Sequence, residues 1–442
     1  MSKGPIDSNE LLDSWKEIAS YLGRDIRTVA RWEKELGLPV RRIQSKTKSR
    51  IIAYKCELDR WRIETFRCSQ GNEKHIKRPS LRLMVCITLP IALVLSLIML
   101  LRKNADDVRP YDFKTDKTGI ILLNKSGKEI GRFDTDITNL LEESDYRERY
   151  QQRRVQKETG HYFLPLLMCK DINMDGKIEV LYSPQTKDGK GTDRLYCIGQ
   201  DCVPIWQIRA GRSVAFGGRS FPSDFVLQGF DVCDLDNDGK DEVVCVANAV
   251  NEWPCRLMVI SADGKVLEEY WNSGQLLDLA FADLNRDGKK EILAAGLNNE
   301  YARGCLIIFN SSNIAGASPQ SNSDFRSPQI IRGTEKRYIL FPRTDVDLLK
   351  WPMECVRDIE LLGQNLIRVR AALSGIYYDF DYRLSLSNVE LSHGFVQEHN
   401  VLSRERKIRS TLDDAYRRRI RNGVVYYAGT KWELCPSTIG NY

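Results

Sequence analysis

The chain has 442 residues, a formal net charge of +6 and four histidines. The charge is uneven, because residues 1–80 hold 18 Lys and Arg against 11 Asp and Glu, while the rest of the chain is close to neutral. A basic excess at one end suits a nucleic acid or an anionic membrane surface as partner. No histidine lies in a recognisable nucleophile or zinc motif, and no phosphate-binding Gly-rich loop or kinase signature is present, so we expect that the protein is not an enzyme.

Two short helices are predicted in the segment LDSWKEIASYLGRDIRTVARWEKELGLPVRRI. The first ends at Gly23, and the second, closed by Gly37 and Pro39, presents basic residues near its start. The apolar faces of the two helices are formed by Trp15, Ile18, Ala19, Leu22, Val29, Trp32 and Leu36. The next stretch, VRRIQSKTKSRIIAY, predicts a basic hairpin, and ELDRWR predicts a third helix.

This run resembles the winged-helix domains of the MerR and excisionase type, and we interpret residues 1–70 as such a domain. The resemblance implies that the second helix enters the major groove of DNA and that the hairpin touches the phosphate backbone. The implied base readers are Arg24, Arg27, Thr28 and Arg31, and the implied phosphate contacts are Arg42, Lys46, Lys48 and Arg50. Such units usually read DNA as dimers, so a homodimer is expected. The alternative is a small helical domain that binds another protein.

A long apolar segment, LMVCITLPIALVLSLIMLL, occupies residues 83–101 and carries no charge. A helix of this length covers about 28 Å, which matches the hydrocarbon thickness of a bilayer. The sequence therefore predicts a basic juxtamembrane linker over 71–82 and a transmembrane helix over 83–103. Lys and Arg are more numerous before the segment than after it, which favours a cytoplasmic N-terminus. We expect a single-pass protein of the inner (cytoplasmic) membrane, with its C-terminal part in the periplasm or outside the cell.

Nine of the twelve cysteines follow this apolar segment. An exported domain can form disulfides, and Cys197 and Cys202 are candidates for a bond across a hairpin turn. Buried free thiols are the alternative, because many of these cysteines sit in apolar, strand-like stretches.

Three acidic stretches share the pattern D-x-[DN]-x-D-G-x-x-E, and we call them loops 1, 2 and 3. They are DINMDGKIE at 171–179, DLDNDGKDE at 234–242 and DLNRDGKKE at 283–291. Oxygen-bearing side chains at positions 1, 3, 5 and 9 suit a hard cation such as Ca²⁺, and Gly at position 6 permits a sharp turn. An EF-hand is excluded, because position 12 is Tyr182, Cys245 or Ala294 instead of Glu, and strand-like segments flank each loop.

The strand–loop–strand context resembles the FG-GAP and VCBS-type repeats of integrin-like β-propellers, whose loops bind Ca²⁺. The resemblance implies these ligands: Asp171, Asn173, Asp175 and Glu179 in loop 1; Asp234, Asp236, Asp238 and Glu242 in loop 2; Asp283, Asn285, Asp287 and Glu291 in loop 3. Their expected role is structural. The alternative is a set of acidic hairpin turns that stay solvated and free of metal.

Repeated hairpin patterns extend beyond the loops, whose starts are 63 and 49 residues apart. Periods near 50 residues are typical of propeller blades, so residues 110–442 predict an all-β propeller of six or seven blades. Residues 355–372 are interpreted as a degenerate, metal-free copy that keeps Asp358 and Glu360. Residues 140–158 predict a charged helical insertion. The predicted fold class is thus multidomain: a winged helix-turn-helix, one transmembrane helix and a propeller.

Together these patterns predict a membrane-anchored regulator of transcription. A cytoplasmic domain would bind DNA, and a Ca²⁺-binding propeller outside would sense an unknown ligand or protein. The alternative is a surface adhesion or scaffold protein whose propeller binds a protein or glycan partner.

Overall fold

The structure, a computed structural model, describes residues 11–44, 49–66, 108–154, 164–188, 192–250, 253–363 and 365–436. The chain divides into two compact units, Met1–Val94 and Leu95–Tyr442, which we call unit 1 and unit 2. Across the described residues the fold is mostly β, with strands β1–β26 and helices α1–α7.

Unit 1 combines three helices with a small antiparallel sheet of order β1-β3-β2. The elements are β1 (Leu11–Leu12), α1 (Trp15–Leu22), α2 (Ile26–Leu36), β2 (Arg41–Gln44), β3 (Ser49–Tyr54) and α3 (Lys55–Phe66). Ser14 caps the start of α1, since its side chain accepts the Glu17 N–H at 3.2 Å. Gly23 and Gly37 end α1 and α2 at φ 63° and 65°, a left-handed conformation that glycine adopts at little cost.

The core of unit 1 is the shared apolar side of these elements. Ile18, Val29 and Leu58 are fully buried there. The Trp61 ring lies 5.6 Å from that of Trp32 between centroids, and its Nε1–H donates to the Leu36 carbonyl at 2.8 Å. The helix pair is therefore fixed by packing against α3 and the sheet.

Unit 2 begins with small antiparallel sheets. The first, in the order β4-β5-β6, contains β4 (Asp112–Thr115), β5 (Gly119–Leu123) and β6 (Glu129–Asp134). The second, in the order β10-β9-β8-β7, contains β7 (Leu167–Lys170), β8 (Glu179–Tyr182), β9 (Arg194–Ile198) and β10 (Pro204–Arg209). A two-stranded hairpin of β11 (Val214–Phe216) and β12 (Arg219–Phe221) follows.

Three further sheets complete unit 2. The sheet β13-β14-β15-β16 contains β13 (Phe225–Cys233), β14 (Glu242–Ala249), β15 (Cys255–Ile260) and β16 (Val266–Asn272). A six-stranded sheet contains β17 (Leu276–Ala282), β18 (Glu291–Asn298), β19 (Arg303–Phe309), β20 (Arg337–Leu340), β25 (Val425–Tyr427) and β26 (Trp432–Leu434). The sheet β21-β22-β23-β24 contains β21 (Val356–Leu362), β22 (Leu366–Ala371), β23 (Ile376–Asp381) and β24 (Leu386–Leu391).

The helices of unit 2 connect or flank these sheets. They are α4 (Glu143–Arg154), α5 (Asp345–Lys350), α6 (His393–Arg404) and α7 (Asp414–Asn422), with a 3-10 turn at Ser323–Phe325. The helix predicted within residues 140–158 is present as α4.

Central strands carry the core of unit 2. All eight residues of β14 and all eight of β18 are buried. Their sequences, EVVCVANA and EILAAGLN, are nearly continuous apolar runs, as expected for strands covered on both faces. Both strands begin with a glutamate that is also position 9 of an acidic loop.

The propeller prediction is wrong for the described residues. They form separate sheets of two to six strands, and no closed sheet or propeller is found among them. The six-stranded sheet shows the physical reason: β20 pairs with β25, a strand from the C-terminal end of the chain, through Ile339 and Tyr426. Repeat spacing predicted six or seven blades of about 50 residues, whereas long-range pairing produces sheets of unequal size.

The predicted single-pass membrane arrangement is also corrected. Its segment, 83–103, and the linker over 71–82 lie outside the described residues. The longest described helices have 12 residues, which is about 18 Å against a hydrocarbon thickness of about 30 Å. No described helix is long and apolar enough to cross a membrane. An inner-membrane location with an exported C-terminal part is therefore not supported.

The cysteines of the described residues are free thiols. Cys197 is fully buried and Cys202 partly buried, and the two do not form the disulfide considered from the sequence. Burial raises the pKa of the Cys197 thiol to about 12, which makes it unreactive as a nucleophile at neutral pH.

Candidate functional site

The first candidate site is the exposed side of α2. Asp25 caps the start of this helix, because its carboxylate accepts the Thr28 N–H at 3.0 Å and the Thr28 hydroxyl at 2.7 Å. The two hydrogen bonds from Thr28 lower the pKa of Asp25. The Thr28 hydroxyl therefore has a structural partner inside the cap, although the sequence placed this residue among the base readers.

Basic side chains form one row along this side of unit 1, which we call the basic row. Its members are exposed: Arg24, Arg27, Arg31 and Lys34. Within the part of the chain that the structure describes, the Arg24 and Arg27 guanidinium groups form no hydrogen bond or ion pair. Arg31 lies 3.7 Å from Glu35, and both side chains are 62% exposed, so this pair stabilises little. Arg27, Arg31 and Lys34 are spaced by four and three positions, so they lie on one face of the helix. This spacing is visible in the sequence and would have added Lys34 to the predicted base readers.

The predicted phosphate contacts of the hairpin are more constrained. Arg42 Nη2 donates to both carboxylate oxygens of Glu33 at 2.8 Å, and Arg50 lies 3.2 Å from Asp13. Both arginines would have to exchange these partners for a phosphate. Lys46 and Lys48 lie outside the described residues.

The second candidate site consists of the three acidic loops, each of which joins two antiparallel strands. The residue before each loop pairs with the glutamate at position 9: Lys170 with Glu179, Cys233 with Glu242, and Ala282 with Glu291. The three loops are therefore closed in the same register, and the predicted strand–loop–strand context is present in each.

The backbone of the loops repeats as well. Position 6 has φ between 85° and 91° in Gly176, Gly239 and Gly288. Position 4 is also left-handed although it is not glycine, with φ 63° at Met174, 66° at Asn237 and 64° at Arg286. Two left-handed residues within three positions turn the chain sharply in each loop.

Hydrogen bonds inside the loops hold the carboxylates in place. In loop 2, Asp234 accepts the N–H groups of Asn237 and Gly239 at 2.7 and 3.0 Å. Asp236 and Asp238 each accept one backbone N–H through Oδ1. A carboxylate oxygen can accept more than one contact, so these side chains retain capacity for a cation.

The glutamates at position 9 are buried beneath the loops. Glu179, Glu242 and Glu291 each accept the N–H of position 2, at 3.0, 3.0 and 2.8 Å. Burial raises the pKa of Glu179 and of Glu242, and the neighbouring loop aspartates raise it further. Glu291 also has a cationic partner, because Lys336 Nζ lies 2.8 Å from its Oε1.

The tightest grouping of acidic oxygens is in loop 2. Ligand atoms of Asp234, Asp236 and Glu242 all lie within 4.8 Å of one another, close enough to hold one metal ion. In loop 1 the Asp171 Oδ1 atom is buried without a hydrogen-bond partner among the described residues. The donor set is composed of oxygens, which is the chemistry that Ca²⁺ prefers.

Successive loops are also linked to one another, which the sequence did not reveal. The Asp241 N–H of loop 2 donates to the Ile172 carbonyl of loop 1 at 2.8 Å. The Lys290 N–H of loop 3 donates in the same way to the Leu235 carbonyl of loop 2 at 3.0 Å. The Lys170 ammonium adds an ion pair with Asp241 at 2.8 Å. The three loops therefore form one continuous row.

The region predicted as a degenerate copy spans β21 and β22. Its Asp358 is buried and forms an ion pair with Arg370, whose Nε donates at 2.6 Å. An arginine thus balances the charge of this carboxylate. The interpretation of this region as metal-free stays a prediction.

The chain was compared with protein-family models and with curated proteins, and neither comparison found a match. The two resemblances drawn from sequence motifs therefore stay predictions.

Proposed function

We propose that this chain is a DNA-binding regulator of transcription, in which α2 of unit 1 contacts the major groove and unit 2 is a sensing module stabilised by Ca²⁺. The observation that carries the proposal is the basic row, which begins at Arg24 after the Gly23 turn and continues along the exposed side of α2.

The dimensions and chemistry of α2 support a role in DNA binding. From Arg27 to Lys34 the helix rises about 10 Å, and a major groove about 12 Å wide admits such a helix. Arginine can donate two hydrogen bonds to a guanine edge, and lysine and arginine both bind phosphates. The Arg24 and Arg27 side chains are exposed and need not break an ion pair with the described residues before binding.

The acidic loops support the Ca²⁺ part of the proposal. Each loop presents oxygens on one turn, and in loop 2 the ligand atoms of Asp234, Asp236 and Glu242 lie within 4.8 Å of one another. In loop 2 the ion would be held by Asp234, Asp236, Asp238 and Glu242, and in the other loops by the residues at the same positions. Bound Ca²⁺ would neutralise the clustered carboxylates and tie two strands together, so its contribution would be to stability.

DNA binding by the full-length protein tests the proposal. DNA fragments would be selected from a random pool, and affinity for the selected sequence would be measured over a salt titration. Replacing Arg27 or Arg31 with alanine is expected to cost about 1–3 kcal/mol if the side chain reads a base, with relaxed sequence preference. If the side chain contacts a phosphate instead, the DNA affinity of the alanine variant should depend less steeply on salt concentration.

Arg60→Ala is the matched control, because Arg60 is an exposed arginine on α3 outside the basic row. It is expected to bind the selected sequence as the unmodified protein does. Weak, salt-sensitive binding without a preferred sequence, affected equally by all three substitutions, would contradict a regulator. That result would favour the adhesion or scaffold alternative.

A further inference from the structure

A cleft of about 680 Å³ lies in unit 2, where loop 3, the start of β20 and the β23–β24 turn meet. Its charged lining residues are Arg286, Lys336, Arg337, Arg383 and Asp381. Tyr382 and the side-chain amide of Asn365 add polar surface. Four cations thus face one carboxylate in a concave site large enough for a small organic molecule.

The four cations differ in how far they are already paired. Lys336 is paired with Glu291, and the Arg337 guanidinium lies over the Tyr426 ring, 4.2 Å from its centroid. Arg286 donates one hydrogen bond to the Asn365 side chain at 3.2 Å. Arg383 is exposed, and its guanidinium forms no hydrogen bond or ion pair with the described part of the chain. Two guanidinium groups are therefore available to a ligand without loss of an ion pair.

The single carboxylate has a structural role. Asp381 Oδ1 accepts the N–H groups of Arg383 and Ser385, each at 2.9 Å. The Leu384 N–H donates to the Asp381 carbonyl at 2.9 Å, and Leu384 itself is left-handed at φ 62°. These bonds fix the backbone of the turn that carries Arg383, so its side chain extends from a defined point at the edge of the cleft.

Comparison of the three loops shows what is particular to this cleft. Position 4 has the same backbone conformation in each loop, but it is Met174 in loop 1, Asn237 in loop 2 and Arg286 in loop 3. Of these three residues, Arg286 is the one that lines the cleft. The turn geometry does not require arginine there, since Asn237 adopts the same conformation.

We propose that this cleft binds a small organic anion carrying two or more phosphate or carboxylate groups. Arg286 and Arg383 would donate paired N–H groups to the anionic groups, because the guanidinium fork matches the geometry of both. Lys336 and Arg337 would add positive potential from the β20 side. The proposal names a ligand class for the sensing module proposed above, and it predicts binding whether or not DNA is present.

The test is calorimetric titration of the full-length protein, without DNA or added Ca²⁺, at physiological salt. The probes are fructose 1,6-bisphosphate and citrate, which distinguish phosphate from carboxylate recognition. Saturable binding of at least one probe, with one site per chain, is expected. Arg286→Asn and Arg383→Ala are each expected to weaken it about tenfold or more. Asparagine is chosen for position 286 because it preserves the left-handed turn, as Asn237 does in loop 2.

Arg418→Ala is the control, because Arg418 is exposed on α7 and does not line the cleft. It is expected to leave binding unchanged. The proposal is overturned if neither probe binds, if the Arg286 and Arg383 variants bind as the unmodified protein does, or if Arg418→Ala weakens binding to the same extent. Since no DNA is present, none of these outcomes depends on the function proposed for unit 1.

Discussion

Asp347 is a carboxylic acid with no exposed surface, near the start of α5. Its Oδ2 accepts the Thr344 N–H at 2.8 Å in a capping box, whereas Oδ1 has no partner among the described residues. Burial raises the pKa of Asp347 to about 7, and the nearby charge of Glu354 contributes. Glu354 itself accepts three backbone N–H groups, so it is better able to carry the charge of this buried pair.

The raised pKa predicts that Asp347 makes stability depend on pH. Between about pH 4 and pH 7 the folded chain keeps a proton that the unfolded chain has lost, so stability falls as pH rises through this window. Asp347→Asn keeps an acceptor for Thr344 and removes the titration. The free energy of unfolding, measured in urea at pH 5 and at pH 8, falls between the two pH values in the unmodified protein. In the variant this fall is expected to be smaller by about 2–4 kcal/mol. Asp414→Asn, at an exposed acid of α7, should follow the unmodified protein, and an identical fall in both variants would refute the assignment.

At the scale of elements, each acidic loop acts as a preformed turn between two paired strands. Its carboxylates are already drawn together by backbone N–H groups, as in the contacts of Asp234 with Asn237 and Gly239. Clustered negative charge without a cation costs free energy through mutual repulsion. A bound cation would remove this repulsion, so each loop is expected to couple metal binding to the stability of its strand pair.

The triple variant Asp234→Asn, Asp236→Asn and Asp238→Asn tests this coupling in loop 2. Asparagine keeps an oxygen acceptor for the loop N–H groups and removes the charge, so the turn should persist while metal affinity falls. Ca²⁺ titration is expected to lose one site per chain. The Ca²⁺-dependent rise in unfolding free energy, about 2.7 kcal/mol at a hundredfold excess over Kd for one site, should shrink accordingly. Unchanged stoichiometry in the triple variant would show that loop 2 is not a Ca²⁺ site.

At the scale of the whole molecule, the chain contains two units with separate cores. The buried cluster of unit 1 is drawn from residues between Leu12 and Trp61, and the clusters of unit 2 begin at Phe113. Unit 2 is further integrated by the row of linked loops and by the pairing of β20 with β25. Units with separate cores are expected to unfold independently.

Leu58→Ala tests this independence, because Leu58 is fully buried in the core of unit 1. The cavity is expected to cost about 2–5 kcal/mol. In calorimetry the transition of unit 1 should move to lower temperature, whereas that of unit 2 should stay in place. Ile307→Ala, at a fully buried position of β19, should have the opposite pattern. A single transition that both variants shift together would contradict two independent units.

Local chemistry was sufficient to predict the short-range features of this protein. Gly23 and Gly37 mark helix ends because few other residues adopt a left-handed backbone at low cost, and Gly239 marks a sharp turn for the same reason. The apolar runs before and after each loop identify its flanking strands, and the strand after each loop is buried throughout. These signals depend on neighbours within a few residues, so they can be read from the chain directly.

Tertiary structure decided the features that depend on distant segments. The pairing of β20 with β25 joins residues more than 80 positions apart. Such pairings build sheets of unequal size, and the described residues form no closed propeller. The links between loops, the raised pKa of Asp347 and the cleft at Arg286 also arise between remote parts of the chain. Their physical reason is the same: burial, hydrogen-bond partners and local potential depend on which segments pack together, and a local pattern does not specify that packing.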